Sequence, residues 1–558
     1  MASVEDQPPS TVAERDPGGG AARSWRAAAA PIADFLRDDL VALVILIGAF
    51  ILRWFLAGTQ SYWLDELYSV AIYGVWNDSA LEAVRNLANS SVHPPLYQFI
   101  LYQWMDWLGD SEVVTRNLSN LYVTAAGLFL YLLTRDAFSR LIAAWSTVLY
   151  SVMYTTMFFG LETRSYGQTI FLVTLSSYLV LRIMHAGMER GWRSSLATPS
   201  GAFLVLANTA LLLTHYYNVF FLIAQGLCAV AFVLILIPRA KWLTGLGAVT
   251  AGYTVPIALF AAIWGRIFID TYGRRAGEYA VEGGSDLVGP IEVLNSSVVE
   301  PNLLGPGPVL VLGAIITAAM FARTAVVLKR SETSGPEKRS AFTTLYLGSW
   351  LVLPVAITHV VFTSLGVARY SDRYFLFSTI PLAPIVILTI DETWRLGKSV
   401  SQRLRRIPNA ALIGVTSAII VATAILPGSH AAATSDKADW NGTAEAVAGI
   451  VEADPDSSYT IYETSFRTTP VLDYYLAQYS ESIRVDGTIR RAEERRGHNY
   501  AFERNDETIR QHDYLIVVFT HHSTEHFPIA LEALGRLFQV HHSHLDSNGR
   551  GYIVFRVR

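Results

Sequence analysis

Apolar runs of about 20 residues, the length an α-helix needs to cross a bilayer, recur at 38–57, 113–134, 137–159, 165–187, 199–214, 216–237, 243–264, 306–328, 343–363, 374–391 and 409–427. These are the candidate membrane spans. Pro95 to Gly109 is also apolar but only about 15 residues long, short for a span, and reads as a re-entrant or interfacial helix. Ser79 to Asn89 has Ser79 placed as an N-cap and Leu81, Val84, Leu87 and Ala88 along one face, so a helix lying on the membrane is expected. Beyond Gly428 the pattern becomes that of a soluble domain. β-rich runs at Tyr459–Glu463, Asp513–Phe519 and Gly551–Val557 alternate with helical patterns near 440–452, 466–478 and 524–538, which predicts a small α/β domain over 429–558.

Lys and Arg collect in alternate loops, which the positive-inside rule places in the cytoplasm. These are Arg23, Arg26 and Arg37; Arg135 and Arg140; Arg182, Arg190 and Arg193; Arg239 and Lys241; Arg323 to Arg339; and Arg395 to Arg406. Loops 58–112, 160–164, 265–305 and 364–373, the turn at His215, and everything after 428 are then external. With Pro95–Gly109 not crossing, about eleven crossings place the N-terminus inside and the C-terminus outside. Residues 1–37, rich in Ala, Pro, Gly and charge, read as a disordered cytoplasmic tail preceding the 38–428 membrane domain.

Composition agrees with a bilayer solvent: 52% of 558 residues are hydrophobic and 16% charged. The net charge of -4 and the lack of a basic, aromatic-interleaved patch argue against a nucleic-acid partner. Cys228 is the only cysteine, so no intrachain disulfide or cysteine metal site can form. No GxGxxG or P-loop pattern supports nucleotide binding.

The chemistry-bearing residues fall on one side. The first external loop carries SYWLDE, Ser61 to Glu66, with adjacent carboxylates at Asp65 and Glu66, then His93-Pro94-Pro95, where two prolines start the short helix. LETRSYG (Leu161 to Gly167), THYYN (Thr214 to Asn218), the charged 265–305 loop and RYSDRYF (Arg369 to Phe375) share that side. Ionisable groups beside apolar spans are costly and mark sites or pathways. A ring on one face points to a reaction at the outer surface, whereas a proton relay would scatter them through mid-membrane.

Neighbouring carboxylates at a partly dehydrated surface raise one another's proton affinity, which favours a base; solvated loop acids are the plain alternative. Arg164, Arg369 and Arg373 are candidates for phosphate, since guanidinium forks match phosphate oxygens, against snorkelling or ion-paired interface roles. His93 and His215 suit a sugar, a phosphate or a divalent ion, against capping or core hydrogen bonds. His521, His522, His526, His541, His542 and His544 permit metal ligation, but no carboxylate or cysteine pattern accompanies them, and surface histidines are the default. Four Asn-x-Ser/Thr triplets on the external side, at Asn77, Asn89, Asn295 and Asn441, are of a kind common by chance.

Taken together, Asp65-Glu66, HPPL at His93–Leu96 with Tyr97 following, E-x-R-x-Y at Glu162–Tyr166, THYY at Thr214–Tyr217, and DRY followed by a Pro-containing apolar helix at Asp372–Pro381 resemble the GT-C glycosyltransferases of the protein O-mannosyltransferase and aminoarabinose-transferase type (glycosyltransferase family 39-like). The resemblance covers much of the membrane half. It implies a membrane all-α, multispan GT-C bundle that transfers a sugar, mannose first among candidates, with inversion from dolichyl or polyprenyl phosphate to a hydroxyl of a glycan, lipid-linked glycan or protein. It implies Asp65 as base with Glu66 beside it for orientation, and Arg164, Arg369, Arg373, His93 and Tyr97 toward the donor phosphate. Glu162, Tyr166, His215, Tyr216, Asp372 and Tyr374 become pocket candidates. The lipid-linked donor is a substrate, no cofactor is assigned, and Mg or Mn is compatible with such a site. No WWDYG motif follows in the external domain, which argues against en bloc oligosaccharide transfer. A polytopic transporter or lipid flippase is the rival; it predicts internal repeats and broken helices with midplane polar groups, and the sequence displays neither. A sensor or scaffold built on the external domain leaves the loop constellation unexplained.

Overall fold

The computed structural model describes residues 39–91, 93–190, 198–279, 335–365, 372–392, 439–463, 469–480, 483–494, 497–502, 509–519, 538–545 and 550–557, with isolated positions between 318 and 326. The expected tail 1–37, most of the span at 306–328, the span at 409–427, the loop beyond Tyr279, Arg369, and His521, His522 and His526 lie outside these residues.

Helices dominate the first two-thirds. α1 (Leu40–Leu56) leads through a short loop to a single turn, α2 (Leu64–Leu67), which widens into a π-helical segment over Tyr68–Val75. α3 (Ala80–Ser90) starts on Ser79, whose hydroxyl accepts from the Glu82 N–H. Its protein-facing side is Ala80, Ala83 and Leu87, one position round from the expected stripe, so Leu81 points outward at 57% exposure. Small alanines let α3 sit close to the π segment. α4 (Leu96–Leu108) has 13 residues, about 20 Å of helix, less than the roughly 30 Å hydrocarbon layer. It buries Tyr97, Gln98, Leu101 and Met105 against the π segment and stops at Gly109, whose φ of 93° favours glycine.

α5 (Glu112–Ala137) is the central strut. It runs unbroken over the expected 113–134 segment but buries Thr115, Arg116, Asn117, Ser119 and Asn120 in its first turns, a polar stripe inside the bundle. The expected span at 137–159 is broken instead: α6 (Arg140–Val152) and α7 (Tyr154–Gly160) meet at 55°. No proline or glycine marks the break; Thr156 takes up the Tyr150 and Met153 carbonyls and Arg53 takes that of Ser151 at 3.3 Å, so side chains replace lost helix bonds. α8 (Tyr166–Arg190), α9 (Pro199–Leu212), α10 (Asn218–Leu236), α11 (Trp242–Phe260), α12 (Arg266–Tyr279), α13 (Gly335–Leu365) and α14 (382–392) complete the membrane half. Among the described residues, four stretches are long and apolar enough to cross a membrane, Tyr166–Gly187, Asn218–Leu236, Arg239–Thr271 and Gly335–Ser364, and the bent α6–α7 pair makes a fifth.

Past Asp439, α15 (Trp440–Ala453) and α16 (Thr469–Tyr479) pack on a six-stranded sheet. Its strands are β1 (Tyr459–Glu463), β2 (Gly487–Glu494), β3 (Gly497–Phe502), β4 (Tyr514–Phe519), β5 (Gln539–Leu545) and β6 (Gly551–Arg556), in the order β3-β2-β1-β4-β6-β5. β1 lies parallel to β2 and β4, and the remaining pairs are antiparallel. β4 sends Ile516 and Val518 toward α15 and α16 and Leu515, Val517 and Phe519 to the opposite face, so both faces are covered. β5 is one of the two edges among the described strands; there His541 rests on Tyr514 and His542 and His544 on Tyr552, with most of the strand exposed. A polar edge of this kind blocks strand addition.

The C-terminal domain is seated on the segment that follows α1. One buried cluster joins Tyr62, Leu67, Val70, Ala71, Tyr97 and Leu101 to Trp440, Val447, Val471, Leu472 and Tyr475 without interruption.

Candidate active site

α2 is one turn long, and a single turn is unstable by itself. Glu66 holds it. Its Oε1 accepts from Arg116 Nε at 2.9 Å and from the Thr163 N–H at 2.8 Å, and its Oε2 accepts from Arg116 Nη2 at 2.8 Å and from the Trp63 N–H at 3.3 Å. Arg116 also donates to the carbonyls of Ala57, Gln60 and Ser61 at 2.6–3.0 Å. Both side chains are buried, 0% and 2% exposed. Loop 57–66, α5 and the 162–164 turn are thereby tied to one ion pair.

Asp65, one residue earlier, turns to the accessible side. Its Oδ2 accepts from Arg373 Nη1 at 2.7 Å, and the carboxylate and guanidinium stay 31% and 39% exposed. Arg373 lies over the Trp63 ring at 5.2 Å. Burial works against its charge, but Tyr166, Asp65 and Glu162 beside it outweigh that and keep the guanidinium firmly protonated. The adjacent carboxylates therefore do not share a site: each faces its own guanidinium.

Arg164 links the next group. Its Nη1 donates to the Asp65 carbonyl and to Ser69 Oγ, each at 3.0 Å, and its Nη2 lies 3.1 Å from His93 Nε2. An arginine nitrogen only donates, so His93 Nε2 accepts and its proton is assigned to Nδ1. His215 Nδ1 likewise accepts, from the Tyr217 N–H at 3.3 Å. Burial, and then the Arg164 charge, push both imidazoles toward neutrality, His93 well below the ordinary histidine value and His215 down to about 4. The rings sit 5.9 Å apart, and Tyr374 stacks obliquely 5.2 Å from His215. Tyr166 is 6.3 Å from His215, and Glu162, 1% exposed, lies where both Arg164 and Arg373 feel its charge. A small cleft is lined by His93, Tyr97, Arg164, Ser69, Gln98 and Thr214 among others, with Asp65 and Arg373 outside its lining.

The structure thus brings Asp65, Arg373, Arg164, His93, His215, Tyr97, Tyr166, Glu162 and Tyr374 to one place. Tyr216 is not among them: its hydroxyl accepts from Trp264 Nε1 at 3.0 Å and its ring packs edge-on against Phe268 at 4.8 Å. Asp372 begins the turn Asp372–Tyr374, and its side chain, like all of Arg369, is outside the described residues. Arg116 was not anticipated, although a lone arginine in an apolar helix is itself a signal. Among the described residues no group of three or more His, Cys, Asp or Glu could hold a metal ion.

No protein-family model and no curated protein matches the chain by sequence. Solved structures similar to it include the archaeal oligosaccharyltransferase AglB from Archaeoglobus fulgidus in complex with an inhibitory peptide and a dolichol-phosphate, with 12% identity, 93% of this chain and 74% of that one covered, and a TM-score of 0.45. ArnT from Cupriavidus metallidurans in the apo state is similar at 12% identity, covering 97% and 99% of the two chains with a TM-score of 0.49. The same protein bound to undecaprenyl phosphate gives 13% identity, 92% and 98% coverage, and a TM-score of 0.47.

Proposed function

We propose that this chain is an integral-membrane, inverting GT-C glycosyltransferase of about eleven crossings with its reaction centre and C-terminal domain on the external face. Its donor is a polyprenyl- or dolichyl-phosphate monosaccharide, mannose first, and its acceptor a hydroxyl of a glycan, lipid-linked glycan or protein. The observation that carries the reading is an accessible carboxylate, Asp65, in contact with one guanidinium and a backbone carbonyl away from a second, beside a cleft at the mouth of apolar helices.

In the proposed step, the acceptor oxygen attacks the anomeric carbon as the bond from that carbon to the phosphate oxygen breaks. The acceptor proton passes to the Asp65 carboxylate, and prenyl phosphate leaves as an anion. Positive charge at the anomeric carbon and negative charge on the phosphate grow together, so groups already in place for the phosphate lower the barrier. Arg373 and Arg164 supply that cationic surround. Two neutral imidazoles add hydrogen-bonding capacity without adding charge: His93 Nδ1–H and the second nitrogen of His215 remain for sugar or phosphate oxygens. Glu66 serves by holding the turn that carries Asp65.

The test is release of polyprenyl phosphate by the purified protein in liposomes, with a panel of labelled polyprenyl-phosphate monosaccharides, an acceptor extract, and arms containing Mg, Mn or chelator. Release from at least one donor supports the reading, and the metal arms decide cation dependence. Labelled lipid crossing the bilayer intact, with no release from any donor, would replace it with a lipid flippase.

A further inference from the structure

Asp65 sits on the single helical turn α2, and a carboxylate there has a fixed position only if the turn and the loop leading into it are held. Two grips come from the far end of the sequence. The Tyr62 N–H donates to Tyr475 Oη at 2.6 Å, and the Tyr475 hydroxyl donates to Glu112 Oε1 at 2.7 Å. Tyr475 lies on α16 of the external domain and is 1% exposed. Its neighbour Tyr474 donates to the Asp110 carboxylate at 3.1 Å, and the Tyr62 hydroxyl donates to the Asp110 carbonyl at 2.7 Å. At the head of α15, the Asn441 N–H donates to Ser61 Oγ at 3.1 Å, and Ser61 Oγ donates to Asp439 Oδ1 at 3.2 Å.

Tyr62 passes this grip on. Its ring carries the Arg116 guanidinium at 5.3 Å, and Arg116 clamps Glu66, the residue after Asp65. Burial, reinforced by Glu112, pushes the Tyr475 phenol far above its ordinary value, so it stays a donor at any working pH and keeps a lone pair for the Tyr62 N–H. A phenylalanine at 475 would fill the same space and leave both the Tyr62 amide and the Glu112 carboxylate without that partner.

We propose that Tyr475 of the external domain is a positioning residue for Asp65, acting through Tyr62 and the Arg116–Glu66 pair, so that the external domain is part of the reaction machinery. The kinetic consequence rests on the glycosyl-transfer reading; the structural consequence does not. The experiment compares full-length wild type and Tyr475→Phe in lipid nanodiscs by amide hydrogen exchange and by polyprenyl-phosphate release. Exchange at Tyr62 should quicken about tenfold, the loss of one hydrogen bond, with β4 unchanged. The kcat should fall on the order of ten- to a hundredfold, since small misplacements of a reacting group have effects of that size, with KM for the donor unchanged. Glu112→Gln, which still offers the phenol an acceptor, should resemble wild type, whereas Glu112→Ala, which keeps the Tyr62–Tyr475 bond but frees the phenol that accepts it, should quicken exchange at Tyr62 by less than Tyr475→Phe; if Tyr475→Phe fails to fold, wild-type exchange at Tyr62 in Glu112→Ala would overturn the proposal. Unchanged exchange at Tyr62, or a change confined to KM, would overturn the proposal. If wild type releases no polyprenyl phosphate from any donor, the glycosyl-transfer reading fails separately, and the exchange measurement alone decides whether Tyr475 positions the loop.

Discussion

The Glu66–Arg116 pair gives the sharpest energetic prediction, because both side chains are buried and joined by two hydrogen bonds. Breaking a buried ion pair by removing one partner costs about 3–5 kcal/mol, mostly through the charge left behind. In Glu66→Gln the stranded charge is Arg116, which still has the carbonyls of Ala57, Gln60 and Ser61, so a loss near the lower end, about 3 kcal/mol, is expected. In Arg116→Met the stranded charge is Glu66, which loses two charge-assisted bonds and keeps the Trp63 and Thr163 N–H groups among its partners, so a loss within about 3–5 kcal/mol is expected. The double variant strands neither charge, and its cost should fall short of the sum by at least about 2 kcal/mol. Reversible unfolding of the purified protein by SDS titration in mixed micelles, followed by tryptophan fluorescence, measures all three. Additive losses, or a loss under about 1 kcal/mol for either single variant, would refute the claim that this pair holds the loop.

Arg373→Gln should lower turnover about 10²–10³-fold, the effect of deleting one preorganised donor to developing charge, yet shift stability by less than about 1 kcal/mol because the Asp65–Arg373 pair is one-third exposed; steady-state kinetics beside thermal unfolding separate the two. His215, held neutral down to about pH 4, takes up a proton more readily in the unfolded chain, so its contribution to stability is present above about pH 6.5 and is lost as pH falls through about 4. Thermal unfolding from pH 7 to 4 should show this decline, and His215→Asn should flatten it. Gly167 stands where a Cβ would press on Ser119 at 3.0–3.1 Å, backbone included, so Gly167→Ala should push α8 off α5 and cost about 1–3 kcal/mol, read in the same SDS titration.

Much of the candidate site was legible because its residues carry charge or aromatic character in a background that has little of either. Asp65, Arg164 and Arg373 stand out at the ends of apolar segments, and alternating basic loops place them on one side. What the pattern could not give is pairing. Whether Arg373 meets phosphate or Asp65, and whether Glu66 meets Asp65 or Arg116, depends on packing between segments 308 and 50 residues apart. Tyr475 is invisible for the same reason: nothing near it in sequence says that it reaches Tyr62. In the C-terminal domain, β1, β4 and β6 stand out in the sequence as apolar β-rich runs, while β2, β3 and β5 do not, because GTIRRAEE and QVHHSHL bear the polar residues of sheet margins. The histidines at 541–544, with surface histidines as the default reading over metal ligation, lie on an edge strand with their rings on Tyr514 and Tyr552. The break at Met153 left no trace either, since Thr156 and Arg53 enforce it in place of proline.

The most direct test is the role of Asp65. Wild type and Asp65→Asn, reconstituted in the same liposomes, are compared for polyprenyl-phosphate release from the donor that wild type accepts, with the folded state of each confirmed by unfolding. The account predicts release by wild type, at least about 10²-fold less by Asp65→Asn, the order of a general-base contribution, and stability within about 1 kcal/mol, as befits a part-exposed pair. Equal release by the two proteins would remove Asp65 from the chemistry and contradict the assignment of this cleft.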